Sequence, residues 1–292
     1  MTTIGFIGLG AMGSPMAANL LARGFAVRGF DLQGPALDAL KANGGVPVTS
    51  AREAAAGADN LILMVVDAAQ AETVLFAEGA AGALPEGGTV LLMATCPPGA
   101  VEALAARVEA TGRRFVDAPV SGGTAGAAAA TLTVMAAAPE TTFEAVRPVL
   151  EALGDKVFHV GPRPGQGAMV KTVNQLLCGV HLAVLAEALA LARKVGIELD
   201  VILEIMGGSS ASSWMLEDRG PRMVQADPPV SSAVDIFVKD LGIVLEAGRG
   251  AKAALPLAAL AHQLFLATSG RGAGKADDSQ VIRTYDTMNG SP

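Results

Sequence analysis

The chain has 292 residues, 51% of them apolar, with a formal net charge of −7. That length accommodates two domains and a large core. The acidic balance and 4% aromatic content argue against a nucleic-acid binder, which needs cationic surface and stacking rings.

The opening TTIGFIGLG enters a strand at once, with no basic leader or cleavage site to mark export. No run approaches the ~18 uncharged apolar residues of a membrane span; the most apolar helical stretch, HLAVLAEALALA, carries Glu187 in its middle. Cys96 and Cys178 are the only cysteines, which fits a reducing cytoplasm. His159, His181 and His262 are scattered without metal-ligand spacing, so no metal is expected.

Through the first half, β-rich runs alternate with Ala-rich helical stretches. The strands read TIGFIGL, AVRGFD, NLILMVV, GTVLLMAT, RFVDAPV, TLTVMAA and KVFHVG, with helices beginning near Met12, Pro35, Ala68, Gly99 and Glu140. Continuous apolar runs predict strands covered on both faces, hence a mainly parallel sheet wrapped by helices. After VGPRPGQG the strand signals stop. A long helix from about Ala168 to Val195 follows, then helical segments near 199–206, 212–219, 233–249, 255–269 and 277–286. The expected division is an α/β domain over residues 1–163 and an all-helical domain over 164–292, joined by the long helix.

The first strand runs into Gly8-Leu9-Gly10-Ala11-Met12-Gly13, and Asp31 closes the second strand. A lone GxGxxG is weak, but strand, loop, helix and a following acid in register make a Rossmann-type dinucleotide site. Gly8 permits the tight turn, Gly10 admits a pyrophosphate, and Gly13 lets the helix pack on the strand. Asp31 can accept from both ribose hydroxyls and would repel a 2′-phosphate, while FDLQG offers no arginine to receive one. The expected cofactor is NAD rather than NADP.

In GQGAMVKTVNQLL, Lys171, Asn174, Gln175 and Cys178 share one helical stripe, while Met169, Val170, Val173, Leu176 and Leu177 follow apolar helical spacing. Two readings stand at this level: a solvated polar face, or a buried polar seam in which a lysine acts as acid or base. A lysine at its ordinary pKa of about 10.4 is a poor base at neutral pH, and a buried seam disfavours the ammonium.

With the glycine loop, the Ser121-Gly122-Gly123 triplet and the lysine helix together, the chain resembles the β-hydroxyacid dehydrogenase family, related to 3-hydroxyisobutyrate dehydrogenase. The match runs nearly end to end through GLGAMGSPMAANL, DAPVSGGTAGAAAATLTVM, GQGAMVKTVNQLL and FVKDLG. The resemblance implies Lys171 as catalytic acid/base and Asn174 as the group orienting the substrate. It implies Ser121, Gly122 and Gly123 as the seat of a substrate carboxylate, and Thr95 and Lys239 as contacts to the nicotinamide nucleotide. It also implies a C-terminal domain carrying the substrate cleft and a homodimer or homotetramer contact. The chain departs from the family pattern at Asn174-Gln175 (usually two asparagines), at Met64-Val65-Val66-Asp67 (usually a Met-Leu-Pro loop) and at Ala130 (commonly glycine). VVDAAQAETVLF, MATCPP, SSASSWMLEDR and GKADDSQVI resemble the branch that oxidises C2 of L-threonate, a four-carbon sugar acid. 3-Hydroxyisobutyrate and tartronate semialdehyde are the alternatives within the class. The imine reductases share the architecture but usually lack the lysine. A non-catalytic NAD-binding module is the reading outside enzymology, and Lys171, Asp31 and the Ser-Gly-Gly triplet argue against it.

Overall fold

The computed structural model describes residues 1–290; Ser291 and Pro292, the end of the expected second domain, lie outside the described residues. The chain packs as two compact units, Met1–Lys171 and Thr172–Pro292.

The first unit is built on a nine-stranded sheet. Its strands are β1 (Thr3–Ile7), β2 (Ala26–Phe30), β3 (Val46–Pro47), β4 (Asn60–Leu63), β5 (Thr89–Leu92), β6 (Arg114–Asp117), β7 (Val120–Ser121), β8 (Thr133–Ala137) and β9 (Lys156–Gly161). They lie in the order β3-β2-β1-β4-β5-β6-β8-β7, with β9 against β8. Pairing is parallel from β3 through β6, and β8 then runs antiparallel to both β6 and β7. The order reverses on either side of β1, which makes a switch point of the kind where doubly wound sheets bind nucleotides. Both faces are covered, as the apolar runs require. Phe6, Met16, Leu20 and Phe143 lie in one core layer, and Leu61, Leu75, Val90 and Phe115 in the other. Helices α1 (Gly13–Ala22), α2 (Gly34–Ala42), α4 (Ala68–Glu72), α6 (Pro98–Glu109) and α8 (Glu140–Glu151) fall where the sequence places them, and the short α3 (Ala51–Ala55), α5 (Ala80–Ala83) and α7 (Gly123–Ala129) lie between them.

The second unit is helical. The long α9 (Gln166–Lys194) leads into it from the first unit and is followed by α10 (Leu199–Gly207), α11 (Trp214–Met223), α12 (Val234–Ala251), α13 (Pro256–Thr268) and α14 (Ile282–Met288). Leu182, Ala186 and Leu189 of α9 share a core with Leu241, Val244, Phe265 and Ile282. Phe237 and Phe265 stack with ring centroids 5.0 Å apart. A Cβ at Gly179 would stand 2.8 Å from Leu241, so the small residue lets α12 approach. On length and composition α9 could cross a membrane, but half of its most apolar window is buried inside the protein. Glu187, the charge within that window, accepts a hydrogen bond from Tyr285 Oη at 3.0 Å.

Candidate active site

The glycine loop follows β1 as the motif requires. Gly8 takes φ +91°, a conformation open to glycine, and a Cβ there would stand 2.4 Å from the Met64 carbonyl oxygen. A Cβ at Gly13 would collide with the Gly8 carbonyl, whereas one at Gly10 would meet nothing within 4 Å. Met12 precedes α1 without any side-chain cap, which leaves the positive end of the helix dipole for an anion. Leu9 is buried and Ala11 exposed beside it. The loop therefore fits the pyrophosphate of a dinucleotide.

Asp31 does more than the motif demands. Its Oδ2 accepts from the Leu9 N–H at 2.6 Å and its Oδ1 from the Gln33 N–H at 2.8 Å. The carboxylate thus ties the end of β2 to the glycine loop. Each oxygen has a further lone pair for a ribose hydroxyl, because a carboxylate offers about four acceptor sites.

The Ser-Gly-Gly segment leaves the sheet at its far side. Ser121 pairs with Thr133 across β7 and β8, and the chain turns through Gly122 at φ +130° and Gly123 at φ +62°. Substitution at either would be strained, and at Gly123 there is open space within 4 Å. Thr95 lies three residues beyond the end of β5 and is half-buried.

Lys171 answers the sequence ambiguity: it is 7% exposed, so the solvated-face alternative is excluded. The first turns of the helix are oriented opposite to their hydropathy. Met169, Val170, Val173 and Leu177 stand out at 40–56% exposure, whereas Lys171, Thr172 and Gln175 are buried.

The start of α9 is held by a residue the motifs did not single out. Asp117, at the end of β6 and 1% exposed, accepts at Oδ2 from the Gly165 N–H at 2.9 Å and the Ala168 N–H at 2.8 Å. Burial pushes its pKa up to about 6, although hydrogen bonds from the Ala168, Gly165 and Gly167 N–H groups oppose that rise. A Cβ at Gly167 would stand 2.4 Å from the Met135 carbonyl and 3.0 Å from Asp117 Oδ2.

In the helical unit, Asn174 Nδ2 donates to Gln175 Oε1 at 2.9 Å and Gln175 Nε2 to Asp240 Oδ2 at 2.5 Å. Lys239 Nζ reaches Asp240 Oδ1 at 2.6 Å. Asn174 and Lys239, expected from separate signatures, are therefore linked through Gln175 and Asp240. Gln175 carried a signal, its departure from the family pattern, but Asp240 had none beyond its place inside FVKDLG. No group of His, Cys, Asp and Glu among the described residues forms a metal site.

Residues 3–161 match the model of the NAD-binding domain of 6-phosphogluconate dehydrogenase, and residues 165–285 match the NAD-binding model of NADP-dependent 3-hydroxyisobutyrate dehydrogenase. The chain belongs to the β-hydroxyacid dehydrogenase family. Among its relatives in the family, an L-threonate dehydrogenase of Cupriavidus necator is 45% identical over 97% of this chain and 95% of its own length. A 2-(hydroxymethyl)glutarate dehydrogenase of Eubacterium barkeri is 40% identical over 98% of this chain and 96% of its own. The crystal structure of a 3-hydroxyisobutyrate dehydrogenase from Salmonella typhimurium superimposes with a TM-score of 0.93 at 40% identity, covering 97% of this chain and 99% of that one. This β-hydroxyacid dehydrogenase is an NAD-dependent oxidoreductase of small hydroxy acids.

Proposed function

We propose that this β-hydroxyacid dehydrogenase oxidises the C2 hydroxyl of L-threonate to the 2-oxo acid. The 45% identity to an L-threonate dehydrogenase over nearly the whole chain supports that substrate, and the buried Lys171 supports the chemistry. NAD, when bound, supplies the hydride acceptor. The chain's own residues do the rest. The Gly8–Gly13 loop and Asp31 hold the adenosine diphosphate portion, and Thr95 and Lys239 contact the nicotinamide nucleotide. Ser121 offers its hydroxyl, and Gly122 and Gly123 their backbone N–H groups, to the substrate carboxylate. Lys171 takes the proton from the C2 hydroxyl as general base, returning it in the reverse direction, while Asn174 orients that hydroxyl.

The test is NAD reduction with L-threonate beside D-threonate, D-erythronate, 3-hydroxyisobutyrate and D-glycerate, run for wild type and Lys171→Ala. L-threonate should have the highest kcat/KM, and the variant should lose about 10²–10⁴ in kcat while binding NAD normally. A different preferred acid replaces the substrate; near-wild-type turnover by the variant removes the lysine from the chemistry.

The enzyme acts in the cytoplasm, as expected of a chain with two distant cysteines and NAD chemistry. It assembles as a homodimer or homotetramer through its helical unit, where Val173, Leu177, Val184 and Leu191 form an exposed apolar row at 50–62% exposure. A monomeric mass at micromolar concentration would overturn the assembly.

A further inference from the structure

Lys171 sits one turn into α9, and a helix end frays unless its first N–H groups are satisfied. The Gln166 N–H donates locally to the Arg163 carbonyl, but two others are satisfied from far along the chain. α9 begins at Gln166, and the acceptor for the Gly165 and Ala168 N–H groups is Asp117, 48 and 51 residues earlier in the chain. Asp117 is also the last residue of β6, and the chain runs from it through Ala118 and Pro119 into β7, which bears Ser121. A single buried carboxylate therefore joins the strand end leading to the Ser-Gly-Gly segment to the turn that presents the lysine. Gly167 completes the joint: only a residue without Cβ lets the turn lie against the Met135 and Asp117 carbonyls, 2.4 and 2.8 Å from where that atom would be.

We infer that Asp117 is a positioning residue for Lys171, fixing the first turn of α9 so that the amine is set at a constant place relative to Ser121. This rests on the proposal that Lys171 is the acid/base. Asp117 itself touches no reacting atom. The Ser121–Gly123 segment keeps its own pairing to β8 through Val120↔Val134 and Ser121↔Thr133, so loosening Asp117 should disturb the lysine before the carboxylate seat. Misplacing a reacting group by about 1 Å can cost about 10²-fold in rate, because a near-attack geometry is lost.

The experiment compares full-length wild type, Asp117→Asn, Asp117→Leu and Lys171→Ala, with the hydroxy acid the wild type turns over fastest. Asn keeps one oxygen that can accept both N–H groups, whereas Leu keeps none. The expected order of kcat is wild type, then Asp117→Asn, then Asp117→Leu, the last down about 10²-fold. Substrate KM and NAD Kd should stay within about threefold. A merely structural aspartate would lower the melting temperature and leave kcat, measured well below it, where it was. A folded Asp117→Leu with kcat within twofold of wild type overturns the inference while Lys171→Ala, inactive, keeps the lysine's role. If Asp117→Leu does not fold, the smaller Asp117→Ala, which also keeps no acceptor, decides, and a kcat within twofold of wild type in that variant overturns it. An active Lys171→Ala overturns both.

Discussion

Arg219 and Asp278 meet in a two-point contact inside the helical unit, Nε to Oδ1 at 2.8 Å and Nη2 to Oδ2 at 3.2 Å. Asp278 is fully buried and Arg219 is 7% exposed. Arg219 also pairs with Asp218, and Arg222 reaches Asp277 Oδ2 at 3.1 Å. The stretch GKADDSQVI thus has a structural explanation: Asp277, Asp278, Ser279 and Gln280 are all buried, and two arginines of α11 neutralise the acids. Removing one partner of such a pair strands the other charge in the interior. Arg219→Ala should cost about 3–5 kcal/mol of stability, read as a lower urea midpoint with an unchanged slope. A loss below about 1 kcal/mol would show that the pair contributes as little as an exposed one.

The proposed contact of Asp31 with the adenosine ribose sets an expected cofactor preference. The kcat/KM ratio of NAD to NADP should exceed about tenfold, since a misplaced charge against a 2′-phosphate costs at least ~1.4 kcal/mol. Asp31→Ser should shrink that ratio by about tenfold or more. It should also lower stability modestly, because the Leu9 and Gln33 N–H groups lose their acceptor. Equal efficiency of the two cofactors in wild type would remove Asp31 from the ribose.

Asp117 makes stability depend on pH in a defined window. Buried, it holds its proton up to about 6, whereas the ordinary value is 3.8. Between those two values the native state binds more proton than the unfolded chain, so stability falls as pH rises through the window and is level above it. The full loss is about 3 kcal/mol at most, roughly two pKa units at about 1.4 kcal/mol each. Asp278, also raised to about 6 by burial, acts in the same direction. Asp117→Asn removes one of the two contributions, so urea unfolding of wild type and variant at pH 4.5, 5.5 and 7 should give a shallower decline in the variant. Identical slopes would mean that Asp117 ionises normally in the folded protein.

Ala130 ends α7 (Gly123–Ala129) at φ +55°, where a side chain bears a steric penalty of about 1–2 kcal/mol. Glycine, common there in the family, relieves that penalty. Ala130→Gly should therefore stabilise the protein by about 0.5–1 kcal/mol after the greater entropy of glycine in the unfolded chain. A lower melting temperature for the variant would show that the Ala130 methyl group makes contacts worth more than the strain.

Much of this architecture was legible in the sequence, and the exceptions have physical reasons. Apolar runs in β1, β4 and β5 announced buried parallel strands because such strands have no solvent face to alternate against. β3 and β7, two residues each, are too short to show any period. Hydropathy placed α9 but not its orientation, since Met169, Val170 and Val173 are exposed and the lysine is inside. In the sequence Asp117 is only the first letter of the DAPVSGG stretch. Its hydrogen-bond partners lie 48 and 51 residues away, a separation at which spacing rules carry nothing.

The Asp117 joint bears on how this enzyme can be taken apart. A fragment cut at residue 163, in the gap between the two matched models, would contain the complete sheet and glycine loop yet lose both donors that Asp117 holds. Its interior carboxylate would then face an empty socket at the rim of β6, and the piece would be expected to melt lower and aggregate on storage. Eight more residues, to Lys171, would restore Gly165 and Ala168. The natural seam for dissection thus lies inside a helix, eight residues later than motif boundaries indicate.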